Sequence, residues 1–319
     1  MVQPSRKNLF SFLQGAAQPH NLLTGNGAPM IILPEGPLVS TAWLADHLGH
    51  PQLRIVDMRG LVLPPTAPKP HYFARHADYA AGHIPGAVYL DWTRDIADLD
   101  DPVPVQVASP EQIARVLGER GIGDDSVVVA YDDWFAMFAG RLLWVLRYYG
   151  FDNVRILNGG LVKWQAEGRP LTTDVPEYPP ATFTPRPRPE LRRTAAQILA
   201  ALGSDALLID ARNEAEYRGA ESRAARGGHI PGALNVFYQT LLEPDLHTFA
   251  PVEELRARFA AAGTPLDDLE RREVVAYCNG GVSATPVALA LEIITGRRVA
   301  IYDGSWNEWG NDPAMPLET

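Results

Sequence analysis

Cys278 is the one cysteine among 319 residues, and it ends an apolar run, Val274-Val275-Ala276-Tyr277. The five residues that follow it, Asn279, Gly280, Gly281, Val282 and Ser283, lead into Pro286-Val287-Ala288-Leu289-Ala290-Leu291. The run before the cysteine has the β-branched and aromatic content of a buried strand, and the stretch after the glycines reads as a helix. Two glycines let successive N–H groups curl toward one centre, and a helix start adds unpaired donors and a positive dipole end. Such a nest favours a thiolate nucleophile. The competing reading is a core cysteine at a strand end, where a thiol is a small buried hydrophobe.

What must position this loop is a chain long enough for about two domains, each with its own core. With 46% hydrophobic and 21% charged residues, the composition is that of a soluble globular α/β protein. A net charge of −10 argues against general binding to nucleic acid or to an anionic membrane. A single cysteine excludes an internal disulfide, a CxxC redox pair and a cysteine-rich zinc site, and it suits a reducing cytosol. No cofactor or metal site is expected. The first 34 residues hold Arg6 and Lys7, no acidic residue and only short apolar pieces, so residues 1–35 read as a flexible extension without a signal-peptide core.

From Gly36 onward strands and helices alternate. Leu53 to Asp57, Val127 to Tyr131 and Val154 to Leu157 read as strands. Ser40 to His47, Pro110 to Arg120 and Arg141 to Tyr149 read as helices, which implies parallel sheets covered on both faces. The second half repeats the first. Gly82-His83-Ile84-Pro85-Gly86-Ala87 recurs from Gly228, Tyr131-Asp132 matches Tyr277-Cys278, and Gly150 matches Gly296, each pair 146 residues apart. Asp57-Met58-Arg59 matches Asp210-Ala211-Arg212 after a longer proline-rich loop in the first copy. Segments held in nearly constant register mark a duplicated domain. The copies span 36–175 and 190–319, joined by a strap, 176–189, whose six prolines stiffen it. A ligand cleft between the two copies is the natural expectation.

Both Gly-His-Ile-Pro-Gly-Ala segments, the Asp-x-Arg pairs, the loop Cys278 to Ser283 and the ending Tyr302-Asp303-Gly304-Ser305-Trp306-Asn307-Glu308-Trp309 resemble the two-domain rhodaneses, sulfurtransferases of the thiosulfate and 3-mercaptopyruvate class. The resemblance covers roughly residues 36 to 319. It implies two α/β domains, each a central, mainly parallel sheet with helices on both faces. It also implies that Cys278 accepts a sulfane sulfur from thiosulfate or a similar donor as a persulfide, then passes it to cyanide or a thiol. The N–H groups of residues 279 to 283 and the Ser283 hydroxyl, itself also a candidate helix cap, would share the persulfide charge.

Asp132 stands at the reactive place of the first copy and cannot hold a persulfide, so that domain should be catalytically silent, with Trp134 and Phe135 facing the cleft. The neutral Asn279-Gly280-Gly281 resembles mercaptopyruvate-type loops. Glu216 precedes Tyr217, however, where both classes place an arginine. Arg223 and Arg226 are then the nearest candidates to hold a substrate anion. The repeated Asp57, Asp210, Arg59, Arg212, His83 and His229 are expected to be structural, because they recur in the silent copy. A cysteine phosphatase would need an arginine six places after the cysteine, where Ala284 stands. A rhodanese-fold sulfur carrier or interaction module, handing sulfur to an unidentified acceptor protein, is the non-enzymatic alternative.

Overall fold

A computed structural model describes residues 30–269 and 271–319. The expectation for residues 1–29 lies outside the described residues. The first half is built on strands β1 (Leu38–Val39), β2 (Leu53–Asp57), β5 (Ala87–Tyr89), β6 (Val127–Tyr131) and β7 (Val154–Leu157), with β3 (Gly60–Val62) and β4 (Tyr72–Ala74) forming a separate antiparallel hairpin. The second half is built on β8 (Arg192–Arg193), β9 (Leu207–Asp210), β10 (Leu234–Asn235), β11 (Val274–Tyr277) and β12 (Ala300–Tyr302). The five-stranded sheets run β1-β7-β6-β2-β5 and β10-β9-β11-β12-β8, all neighbours parallel. Read from opposite ends, these are one order twice, and Asp57↔Tyr131 in the first sheet repeats as Asp210↔Tyr277 in the second. The duplication read from sequence is therefore a duplication of topology. Every residue of β6 is buried, as a central parallel strand covered on both faces requires.

Ser40 caps the helix Thr41–Asp46, its side chain accepting from the Trp43 N–H at 3.0 Å. The helix expected from Arg141 begins earlier, at Met137, because the turn that precedes it is closed by side-chain acceptors rather than by a glycine. The proline-rich loop after Asp57 is more than a connection. Its apolar ends, Leu61-Val62 and Tyr72-Phe73, pair across it as the β3–β4 hairpin. Residues 176–188 carry no helix or strand and lie against the first half, with Ala181 N–H donating to Gly118 and Arg186 N–H to Tyr149. No helix among the described residues is long and apolar enough to cross a membrane.

In each half the Asp-x-Arg segment ties a strand end to the Gly-His-Ile-Pro turn. Arg59 grips Asp57 through Nε and Nη2 and donates to the Gly82 carbonyl at 2.8 Å; Arg212 repeats this with Asp210 and the Gly228 carbonyl at 2.7 Å. His83 and His229 bond the Tyr79 and Tyr217 carbonyls through Nδ1, both at 2.9 Å, and stack on those tyrosine rings. These groups are buried, and apart from Arg212 Nη1 none of their buried side-chain polar atoms lacks a partner, as structural parts should be.

The halves meet along the helices Met137–Tyr148 and Ala284–Thr295, whose apolar residues join one core. Gly140 sets how closely they cross, since a Cβ there would lie 2.4 Å from Thr285 Oγ1 and 3.1 Å from its Cβ. Gly140→Ala is expected to cost about 1–3 kcal/mol by overpacking, despite alanine's better helix propensity, and chemical denaturation would measure it.

Candidate functional site

Cys278 lies one residue past the C-terminal end of β11, and its loop is shaped from outside. Ser305 Oγ accepts the N–H groups of both Cys278 and Gly281 at 3.1 Å and donates to the Tyr302 carbonyl at 2.7 Å. Trp306 and Asn307 return their N–H groups to the carbonyls of Cys278 and Asn279, at 3.0 and 2.8 Å. Gly281 adopts φ +68°, and a Cβ there would meet Asp303 Oδ1 at 2.8 Å, so only glycine suits the turn. Arg141, from the other half, donates to the Gly281 carbonyl at 3.2 Å and to Asp303 Oδ1 at 2.6 Å. The result is a rigid curl in which the N–H groups of Asn279, Gly280, Val282 and Ser283 donate to no acceptor among the described residues.

This curl floors a cavity of about 330 Å³ formed by both halves. The first half contributes Pro64, Pro65 and Tyr72 from the hairpin, with Trp92, Trp134 and Met137; the second contributes Glu216, Glu221, Arg223, Phe237 and Tyr238. The cysteine side chain is 1% exposed. Tyr72 accepts from Asn307 Nδ2 at 2.9 Å, and burial raises its hydroxyl above the ordinary value, so it stays protonated in the neutral range.

The sequence-derived candidates separate into two groups. Cys278, Asn279, Gly280, Val282, Ser283 and Arg223 all line the cavity. Gly281 does not, because its N–H is committed to Ser305. Ser283 makes no side-chain cap bond, so the capping role expected of it is absent. Arg226 is corrected more fully: its guanidinium is taken up by the carbonyls of Trp309, Gly310, Asp312 and Met315, which pins the C-terminal segment and leaves it outside the cavity. Of the two aromatics expected at the cleft, Trp134 lines the cavity and donates to the Tyr238 hydroxyl at 3.1 Å, whereas Phe135 turns away to stack on His247 at 3.8 Å. Glu216 was noticed in the sequence only as a departure from an expected arginine. In the structure it is buried, accepts from Asn279 Nδ2 at 2.8 Å and faces Arg223 Nε at 3.6 Å. Tyr72, Ser305 and Arg141 had no local signal, since each acts from a distant segment.

The first half shows the same nest filled. Asp132 Oδ1 accepts the N–H groups of Trp134 and Ala136, and Oδ2 those of Phe138 and Ala139, at 2.8 to 3.2 Å. Phe135 and Ala136 take positive φ, 51° and 56°, to wrap the loop around the carboxylate. Burial pushes this carboxyl up to about 6 against the pull of the Ala139, Trp134 and Phe138 N–H groups.

Comparison with known proteins places these features in one family. The Rhodanese-like domain family matches residues 40–167 and again 194–312. The chain is 36% identical over 297 residues to the sulfur carrier protein TtuD of Thermus thermophilus, covering 88% of this chain and 95% of that one. It is 34% identical over 297 residues to the thiosulfate sulfurtransferase of Corynebacterium glutamicum, covering 88% and 90%. The crystal structure of SseA from Escherichia coli, a 3-mercaptopyruvate sulfurtransferase of rhodanese fold, superposes with a TM-score of 0.74 at 34% identity over 85% of this chain and 99% of that one.

Two measurements test this geometry. Ser305→Ala leaves two buried N–H groups of the curl without an acceptor and is expected to cost about 1–3 kcal/mol in denaturant titration. For Asp132 the folded-state value lies above the ordinary 3.8, so its stabilising contribution is fully present below about pH 4 and lost as pH rises through about 6. The stability gap between the wild type and Asp132→Asn should therefore be wider at pH 4.5 than at pH 7.5.

Proposed function

The chain belongs to the rhodanese family and is a tandem-domain sulfurtransferase, and from that premise we propose that Cys278 carries the transferred sulfur as a persulfide. Thiosulfate or a similar compound is the donor, and cyanide or a thiol is the acceptor. The observation that carries this reading is the contrast between the two nests. One is saturated by the Asp132 carboxylate; the other leaves its N–H groups unpaired around a thiol at the floor of a cavity. In the first half-reaction the Cys278 thiolate attacks the outer sulfur of thiosulfate, the sulfur–sulfur bond breaks, and sulfite leaves with the electron pair. In the second, cyanide attacks the outer sulfur of the persulfide, thiocyanate departs, and the thiolate is restored. The negative charge passes between Cys278 Sγ and the sulfur it holds, and the amides of Asn279, Gly280, Val282 and Ser283 are fixed donors for it before the reaction starts. Arg223, buried at the wall, is the cation for a donor's anionic end.

The neutral residues after Cys278 support a second reading for the donor, 3-mercaptopyruvate. Its single carboxylate asks for one cation, and Glu216 stands beside Arg223 where a dianion would be repelled.

Mass spectrometry after incubation with thiosulfate is expected to show a gain of one sulfur on Cys278, lost on adding cyanide. Cys278→Ser should abolish turnover with either donor, and full turnover by that variant would refute the assignment. The ratio of kcat/KM for thiosulfate and 3-mercaptopyruvate decides between the donors.

A further inference from the structure

Part of the cavity wall belongs to the first copy alone. After Asp57 that copy folds the hairpin β3–β4, whereas the second copy places the short helix Glu214–Tyr217 after Asp210. In the hairpin Val62 pairs with Tyr72 and Leu61 with Phe73. Successive strand residues point to opposite faces, and exposure tells the two faces apart. Leu61 and Phe73 are 44% and 36% exposed, while Val62 and Tyr72 line the cavity that holds Cys278.

The hydroxyl end of Tyr72 is fixed against the Cys278 loop. Asn307 Nδ2 donates to it at 2.9 Å, and the Asn307 N–H donates to the Asn279 carbonyl at 2.8 Å. The same Nδ2 lies 3.1 Å from where a Cβ on Gly280 would stand, so one amide separates the phenol from the loop just past the cysteine. The ring packs edge-on to Trp92, 5.7 Å between centroids. Because the Tyr72 oxygen accepts from Asn307, its own hydrogen points elsewhere, and it reaches no acceptor among the described residues. Burial raises this hydroxyl above its ordinary value, and the Cys278 and Glu216 charges add to the rise, so the proton is held in the neutral range.

Tyr72 and Arg223 also line an outer groove of about 850 Å³, which puts both at the boundary between that groove and the Cys278 cavity. A sulfur donor whose outer sulfur meets Cys278 has room for its anionic end at this boundary. Arg223 already faces Glu216 at 3.6 Å, so its charge is partly offset, and a neutral O–H adds a hydrogen bond without burying a further charge. We infer that Tyr72 is a catalytic residue of the first half-reaction: its O–H donates to an oxygen of the sulfur donor's leaving group, sulfite in the case of thiosulfate.

This rests on the persulfide reading of Cys278. The Cys278 thiolate forms a bond to the outer sulfur of thiosulfate, the bond from that sulfur to the sulfonate sulfur breaks, and its electron pair leaves on sulfite. Charge moves onto the leaving group, so the hydrogen bond from Tyr72 strengthens in the transition state. Tyr72 keeps its proton, and no oxidant or reductant enters. The discharge by cyanide involves no such oxygen and does not call on this bond.

The test uses the full-length protein and follows the half-reactions separately, as sulfite release on mixing with saturating thiosulfate and as thiocyanate formation when cyanide meets the loaded protein. Mass spectrometry first confirms one added sulfur on wild-type Cys278; its absence overturns the persulfide reading and this inference with it. In Tyr72→Phe, which keeps the ring against Trp92, loading is expected to be about tenfold slower, the scale of one hydrogen bond to a charged group, with discharge within about twofold of wild type. Tyr72→Leu, which removes the ring as well, should show the same split, so the test stands on whichever variant folds. Loading of either variant at the wild-type rate overturns the assignment and leaves the persulfide in place. Equal slowing of both half-reactions, the mark of a general disturbance of the loop, does the same.

Discussion

The pair Arg141–Asp303 joins everything that makes the site. Both side chains are almost wholly buried, and they meet at 2.6 Å across the boundary between the halves. Arg141 also reaches the Gly281 carbonyl and, through Nη2, the Val105 carbonyl at 2.8 Å. Asp303 Oδ2 accepts the Val107 N–H at 3.0 Å and faces Arg192 at 3.2 Å. A buried ion pair is weak evidence of net stability, because desolvation offsets the attraction. Its effect here is geometric. With the remaining polar atoms satisfied by backbone, the Cys278 loop and the wall of the opposite half hold one arrangement, and the cavity between them keeps its shape.

The duplication gives the protein two copies of one physical device, a strand end followed by a curl of N–H groups. In each copy the Asp-x-Arg pair and the histidine-bearing turn hold the sheet end in place by the same bonds. Only the occupant differs. A carboxylate has oxygens enough to satisfy four donors, so the first copy is closed and internally complete. A thiol accepts hydrogen bonds poorly, so the second copy leaves its donors for whatever the sulfur becomes. The first copy also serves as wall: its hairpin, Trp92 and Trp134 line the cavity, and Arg141 steadies the loop.

Glu216 and Arg226 show how a local motif misleads. An arginine in a polar loop looks like an anion site, yet Arg226 lies where the C-terminal segment turns back and presents four carbonyls, a meeting with no trace in its neighbours in sequence. A glutamate in place of an expected arginine looks like a loss, yet burial beside Asn279 and Arg223 makes it the residue that orders the wall.

The sequence by itself determined the duplication, the parallel α/β character, the strand–nest–helix around Cys278 and the difference between Cys278 and Asp132. These depend on periodicity, on glycine and on residue type over short spans, where the physics is local. The tertiary structure alone decided that Asn279, Val282, Ser283 and Arg223 share a cavity while Arg226 does not, that Gly281 supports the loop from behind, and that Tyr72, Arg141 and Ser305 take part. Tyr72, Arg141, Arg223 and Ser305 come to the Cys278 site from segments 27 to 206 positions away, and which side chains converge across such distances is set by how two sheets pack, which no local pattern encodes.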